Sequence, residues 1–146
     1  NHPKSRGEIS LNSSDPYDYP KILFNYLKEE EDLKQTRECI KVARKILSQP
    51  ALSEHAGEEV GPGLNSQSDD ELNEYIRSKA DTAYHPCGTC KMGVDDMSVV
   101  DQDLKVKGIE NLRVIDASII PEIPSANLNA PTLMIAEKGS DYILNS

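Results

Sequence analysis

Apolar residues recur at helical spacing over residues 22–47, in two groups separated by a charged stretch. The first group consists of Ile22, Leu23, Tyr26 and Leu27, and the second of Cys39, Ile40, Ala43, Ile46 and Leu47. Spacings of three and four residues place each group on one face of a helix. The pattern therefore predicts two helices divided by the charged stretch, the second of which ends at Pro50.

A further helix is predicted to begin at Ser68, after a polar, glycine-rich surface segment at residues 54–68. Ser68 and Glu71 have the spacing of a capping box, in which each side chain bonds the backbone N–H of the other residue. Leu72, Tyr75 and Ile76 follow at the spacing of one buried face. The next segment is therefore delivered by a capped, amphipathic helix.

The last helix is predicted from Thr132 to about Ile143. Asn129 is a natural N-cap for it, and Pro131 suits the first turn because that turn needs no backbone N–H from it. The first half of the helix is mostly apolar, so we expect the helix to be buried.

Short alternating or β-branched runs predict strands at residues 7–11, 99–100, 104–106 and 112–115. These strands need neighbours that the chain does not obviously supply. The chain also has few large apolar residues to form a core, because its 146 residues include no Trp and one Phe. We therefore interpret the chain as a fragment of a larger fold, of the α+β or α/β class.

The formal charge of -9 and pI of about 4.8 argue against a nucleic-acid partner, because a phosphate backbone would be repelled. No apolar run is long enough to span a bilayer, and no signal segment opens the sequence. The sequence starts at Asn1 without an initiator Met, so we expect preceding residues to be removed or to lie in another chain. Asn12-Ser13-Ser14 fits the N-glycosylation pattern, and a secreted glycoprotein is favoured although the compartment stays open.

The segment from Tyr84 to Gly93 concentrates chemistry in one loop. It contains His85, Cys87 and Cys90, while Pro86, Gly88 and Gly93 prevent regular structure. A zinc site lacks a fourth ligand, so no metal is predicted. A thiol redox site lacks the helix that such a CxxC motif opens. A purely structural histidine with packed cysteines stays possible from this segment alone.

A fourth interpretation joins this loop to a second one at residues 119–130. His85 would accept a proton, and Asn127 would hydrogen-bond the same substrate oxygen. The N-terminus of the last helix, directly behind Asn127, would stabilise an anion. These residues define a candidate active site.

Three segments resemble the glucose-methanol-choline (GMC) family of FAD-dependent oxidoreductases. They are His2-Pro3-Lys4-Ser5-Arg6-Gly7, the loop from Tyr84 to Gly93, and the signature that starts at Asn111-Leu112-Arg113, passes through Asn127-Leu128-Asn129-Ala130-Pro131-Thr132 and ends at Asp141. Together the three segments span essentially the whole chain, and their order and separation make the match specific. The residues of these motifs are most similar to those of choline-dehydrogenase-like and arthropod glucose-dehydrogenase-like members.

The resemblance implies the C-terminal part of a two-domain fold. Residues 1–83 would belong to the substrate-binding domain, with part of its antiparallel sheet and its helices. Residues 84–146 would carry the catalytic-histidine loop and return to the FAD-binding domain. The Gly-x-Gly-x-x-Gly motif of the family's N-terminal dinucleotide-binding fold does not occur in this sequence. A separate N-terminal chain of the same enzyme is therefore expected as the partner.

The resemblance also implies a reaction. A small-molecule alcohol would bind between His85 and Asn127, with His85 as the base and hydride passing to flavin N5. Asn127 would orient the substrate, because an amide cannot take up the proton. A hydroxynitrile lyase of the same fold is the alternative. The residues implied to contact the FAD are Tyr84, Asp116, Ala117, Leu128, Asn129 and Thr132.

Overall fold

The computed structural model describes residues 2–145, so Asn1 and Ser146 lie outside the described residues. The elements in order are strands β1 (Glu8–Ser10) and β2 (Lys21–Leu23), helix α1 (Glu30–Leu47), a 3-10 turn (Pro50–Leu52), helix α2 (Asp69–Lys79), a second 3-10 turn (Ala117–Ile119) and helix α3 (Asn129–Leu144). The contacts divide them into two units, residues 3–81 and residues 82–145 with His2. The assignment of residues 1–83 and 84–146 to the two domains of a complete enzyme stays a prediction.

The helix predicted around residues 22–27 is wrong. Lys21–Leu23 forms strand β2, which pairs antiparallel with β1 and sets Ile22 opposite Ile9. The backbone cannot continue as a helix beyond this strand, because Asn25 and Leu27 have φ angles of 55° and 56°. The spacing of four apolar residues was therefore coincidental, and pairing with β1 decided the structure.

The charged stretch begins a single helix rather than dividing two. Glu30, Glu31 and Asp32 occupy the first turn of α1, where negative charge complements the positive end of the helix dipole. Leu33 follows and is buried, and α1 packs against α2. The acidic cluster is thus a helix start signal.

Asp32 is a buried carboxylate at the start of α1, only 6% exposed. It accepts hydrogen bonds from the backbone N–H of Lys4, from the backbone N–H of Ser5 and from the Ser5 hydroxyl. Burial raises the pKa of Asp32, but the hydrogen bonds from Ser5 and Lys4 outweigh it and hold that pKa below its usual value. The carboxylate therefore fastens residues 4–5 to the helix.

Helix α2 confirms the predicted capping box. The Ser68 hydroxyl accepts from the Glu71 N–H at 3.3 Å, and a Glu71 carboxylate oxygen accepts from the Ser68 N–H at 2.8 Å. Leu72 and Ile76 are buried as expected, while Tyr75 is half-buried. The surface helix is therefore fixed at its start by its own sequence.

The strand predictions for residues 99–115 are only partly right. These residues form isolated bridges between Met92 and Val100, Val100 and Val106, and Lys105 and Arg113, but no regular strand. Their core consists of four buried residues, Val100, Leu104, Ile119 and Ile135. Each run stays short because it finds a neighbour at only one or two positions, as expected for part of a larger fold.

Helix α3 begins at Asn129, with Leu128 as its N-cap residue, so the prediction of Asn129 as N-cap is wrong by one position. Leu128 already has helical backbone angles, and its carbonyl accepts from both the N–H and the hydroxyl of Thr132. The expected burial of the helix is also wrong, because Leu133 and Met134 are 60% and 67% exposed. The opposite face carries the buried residues of the helix, Ile135 and Gly139. No helix in the described part of the chain is long and apolar enough to cross a membrane.

Candidate active site

The loop that carries His85 has the irregular shape that its prolines and glycines predict. Tyr84, the residue before His85, has a φ of 59° and is 77% exposed. Its backbone N–H donates to the Thr82 hydroxyl at 3.0 Å. Gly88 has a φ of 89°, which a residue with a side chain would adopt only with strain. The loop is therefore shaped by two left-handed positions on either side of His85.

The same loop is tied to the segment that leads toward Asn127. The Cys90 N–H donates to the Ser118 carbonyl at 3.0 Å, and the Met92 N–H donates to the Ile119 carbonyl at 2.8 Å. A side chain at Gly88 would lie 3.3 Å from the Ile120 carbonyl oxygen, so the two backbones approach closely there. Backbone hydrogen bonds thus fix one candidate loop on the other.

Asp116 and Ala117 form the turn at the start of this second segment. A carboxylate oxygen of Asp116 accepts from the Ser118 N–H at 2.7 Å, so the side chain caps its own 3-10 turn. Ala117 is half-buried within that turn. The Asp116 side chain is therefore engaged in the turn, and the contact of these two residues with FAD stays a prediction.

Asn127 lies immediately before the N-terminus of α3. It is exposed, as is Asn129, whereas Leu128 between them is buried and Thr132 is half-buried. No side chain caps this helix end. Pro131 has no N–H and the N–H of Thr132 donates to the Leu128 carbonyl, so the N–H groups of Asn129 and Ala130 are the first-turn donors that an anionic group placed there could use.

The structure places no hydrogen bond between His85 and Asn127 among the described residues. Neither the half-buried His85 imidazole nor the Asn127 amide has a recorded hydrogen-bond partner in this part of the chain. What joins their loops is the pair of backbone hydrogen bonds at Ser118 and Ile119.

Two supporting groups were missed in the sequence. Asp95 accepts from Lys91, Ser98 and the Met97 N–H, and these bonds, that of Lys91 first, lower its pKa to about 2. This carboxylate braces the end of the His85 loop. The spacing of Asp95 from Lys91 and Ser98 is short enough to have indicated the turn.

The second missed group is the His2 imidazole, which contacts residues of the loop before Asn127. Its Nδ1 lies 3.0 Å from the Ile123 carbonyl oxygen, and its Nε2 lies 2.7 Å from Ser125 Oγ. Because more than a hundred residues separate the partners, no local sequence signal could have shown this contact. The role of Cys87 and Cys90, both half-buried, as packing residues stays a prediction.

Comparison with known proteins gives the class to which this fold and site belong. The family model described as GMC oxidoreductase matches residues 3–136. The chain therefore belongs to the GMC oxidoreductase family, which confirms the resemblance seen in the sequence.

The oxygen-dependent choline dehydrogenase of Klebsiella pneumoniae is 53% identical over 139 residues, which are 95% of this chain and 25% of that protein. The pyridoxine 4-oxidase of Mesorbium loti superimposes with a TM-score of 0.91 at 33% identity, covering 99% of this chain and 28% of the other. A formate oxidase of Aspergillus oryzae, described for the modification of its FAD, gives a TM-score of 0.91 at 34% identity, covering 98% and 25%.

These matches confirm the fold class, a small antiparallel sheet with helices from the C-terminal part of a GMC fold. The chain spans about a quarter of the length of the curated relative it matches. The relative named above is bacterial and gives no support to the prediction of a secreted glycoprotein. In the structure, Asn12 is exposed and its amide donates to Asp18 at 2.7 Å.

Proposed function

We propose that this chain supplies the proton-accepting part of an FAD-dependent enzyme that oxidises a small alcohol, with choline as the first alcohol to test. One observation carries the proposal: backbone hydrogen bonds fix the His85 loop on the segment that leads to Asn127. Family membership supplies the class of reaction, and the choline dehydrogenase relative suggests the substrate.

His85 is the proposed base. A neutral imidazole accepts a proton on one ring nitrogen, and the half-buried ring has no recorded partner in the described part of the chain that would compete for it. Tyr84, directly before His85, and Gly88, three residues after it, both have positive φ angles that shape the loop. The imidazole would therefore take the hydroxyl proton of an alcohol from a position set by the backbone.

Asn127 is the proposed orienting residue. Its amide nitrogen donates to the substrate oxygen, which loses its proton during the reaction and becomes a stronger acceptor. An amide does not itself take up a proton at neutral pH, so it cannot replace His85. The two side chains therefore have different roles on one oxygen.

The residues around the α3 N-terminus suit an anionic cofactor edge. This helix end has no side-chain cap, and the Thr132 hydroxyl already donates to the Leu128 carbonyl. Its open backbone donors fit the flavin of FAD, which supplies the acceptor for the hydride when it is bound. The residues proposed to hold it are Tyr84, Asp116, Ala117, Leu128, Asn129 and Thr132. The ADP portion needs a dinucleotide-binding fold, which we propose lies in the three quarters of the relatives' length outside this chain.

The test is anaerobic mixing of the complete flavin-containing enzyme with choline, an aryl alcohol, pyridoxine or a cyanohydrin. We expect one of the alcohols to bleach the visible absorption of the flavin, and admission of air or an artificial acceptor to restore it. Bleaching by no alcohol, with cleavage of the cyanohydrin, would instead indicate the hydroxynitrile lyase.

A further inference from the structure

The segment that carries Asn127 lies between two hydrogen-bonded turns. Before it, the Ile120 N–H donates to the Ala117 carbonyl at 3.2 Å, and after it the Thr132 N–H donates to the Leu128 carbonyl at 2.9 Å. Residues 121–127 between these bonds contain two prolines and follow no regular structure. The direction of the Asn127 side chain therefore depends on what fixes this segment.

His2 binds the middle of that segment at two points. A carbonyl oxygen only accepts, so the Nδ1–H of His2 donates to Ile123 O at 3.0 Å. In the neutral ring, Nε2 then accepts from the Ser125 hydroxyl at 2.7 Å. One tautomer satisfies both bonds, so the ring is held in a single orientation across the segment.

We propose that His2 is a positioning residue, whose imidazole holds Ile123 and Ser125 so that Asn127 presents its amide to the alcohol. This inference rests on the proposed function of Asn127. Ser125 and Asn127 are two residues apart, which is at most about 7 Å along the chain. Both ring nitrogens of His2 are engaged by the segment, so His2 itself does not take the substrate proton. Its role differs in this way from that of His85.

Loss of these bonds lets residues 121–127 move away from the position that suits the reaction. Misplacement of a reacting group by about 1 Å is enough to slow a reaction by about a hundredfold. We therefore expect His2→Ala in the complete enzyme to slow flavin reduction at saturating alcohol by about ten- to a hundredfold. His55→Ala is the matched control, because His55 is an exposed histidine in the unit of residues 3–81.

A double-mutant cycle with Asn127→Ala separates positioning from general damage. If His2 acts through Asn127, His2→Ala adds no more than about a twofold loss once the amide is absent. If His2→Ala slows reduction by the same factor in both backgrounds, or does not slow it while Asn127→Ala does, the inference is wrong and the proposed function stands. If Asn127→Ala has no effect on the rate, the role of Asn127 fails and this inference fails with it.

Amide hydrogen exchange gives a readout that does not depend on turnover. In His2→Ala we expect faster exchange over residues 122–128 and unchanged exchange over residues 132–144. Unchanged exchange over residues 122–128 would overturn the inference. If His2→Ala does not fold with its flavin, Ser125→Ala replaces it in both experiments, because it removes only the bond to Nε2. A smaller loss that again vanishes in the Asn127→Ala background supports the inference, and an equal loss in both backgrounds overturns it.

Discussion

The two units of the chain are stabilised in different ways. Residues 3–81 form a hairpin and two helices whose ends and loops are fastened by side chains, such as Asp32 with Ser5 and Arg44 with Glu59 at 2.8 Å. Residues 82–145 have α3 as their α-helix in the described part of the chain. Their long loops are joined largely by backbone hydrogen bonds, such as Cys90 to Ser118.

This difference fits a division of work. Irregular loops place chemical groups where helices and strands cannot, provided that a scaffold fixes the loops. In residues 82–145 backbone hydrogen bonds join the loops of His85 and Asn127 without using the side chains of either residue. We therefore expect substitutions of these two residues to reduce turnover and leave stability unchanged. Substitutions in residues 3–81 should instead reduce stability and leave turnover unchanged.

The largest expected effect is that of His85→Ala. Removal of a general base lowers kcat by about 10²–10⁴-fold. The Tm of the complete enzyme should stay within a few degrees of the unchanged protein, since the imidazole has no recorded hydrogen-bond partner in the described residues. Steady-state kinetics with the alcohol identified above, together with thermal melts, check both expectations. The control is His55→Ala, and equal turnover in the two variants would contradict the role of His85.

Asn127→Ala should have the next largest effect, a loss of about a hundredfold in kcat, because one hydrogen-bond donor to a developing oxyanion is removed. Asn127→His retains a donor, so we expect it to recover part of the rate. The matched control is Asn65→Ala, an exposed asparagine in residues 3–81. If Asn127→Ala raised KM and left kcat unchanged, the amide would bind the ground state and the transition state equally and would not assist the chemical step.

The sequence predicted the helices and the loop better than it predicted contacts between distant segments. The capping box at Ser68 and the irregular loop around His85 depend on residues within a few positions, and both are present. The helix expected at residues 22–27 failed because residues 21–23 pair with β1. The burial expected for α3 failed at Leu133 and Met134, which are exposed, while Ile135 joins the core. Such outcomes are decided by tertiary contacts that periodicity does not contain.

The candidate site shows the same limit. His85 and Asn127 could be selected from residue type and loop chemistry, supported by the family resemblance. The bracing by His2 could not be predicted, because it joins positions separated by more than a hundred residues. The two backbone hydrogen bonds that join the loops could not be predicted either, because they require no particular side chain.

Within residues 3–81, Asp32→Asn should cost about 1–3 kcal/mol of stability at neutral pH, because an amide group then faces a buried N–H or O–H donor. The pKa of Asp32 is lowered from 3.8, so its contribution is complete above pH 3.8 and is lost as the pH falls through the lower folded-state value. Denaturant midpoints of the variant and the unchanged protein should therefore converge as the pH falls below 3.8.

Asp96→Asn is the control for this substitution, because Asp96 is exposed. It should leave the free energy of unfolding unchanged within about 0.5 kcal/mol. The rate of flavin reduction at a temperature where Asp32→Asn is folded should equal that of the unchanged enzyme. A slower rate without a lower midpoint would break the proposed division between the two units.

The smallest expected effect tests whether residues 3–81 depend on local capping as well as on buried polar contacts. Ser68→Ala removes the acceptor of the Glu71 N–H and should lower stability by about 1 kcal/mol. Ser68→Thr keeps a hydroxyl at the same position, so it should restore most of the loss. Thermal melts of the three proteins decide the point, with turnover at a permissive temperature expected to be the same in all. If Ser68→Ala instead slowed turnover while the Tm stayed constant, α2 would be coupled to the chemistry, and the contrast between a structural unit and a chemical one would no longer hold.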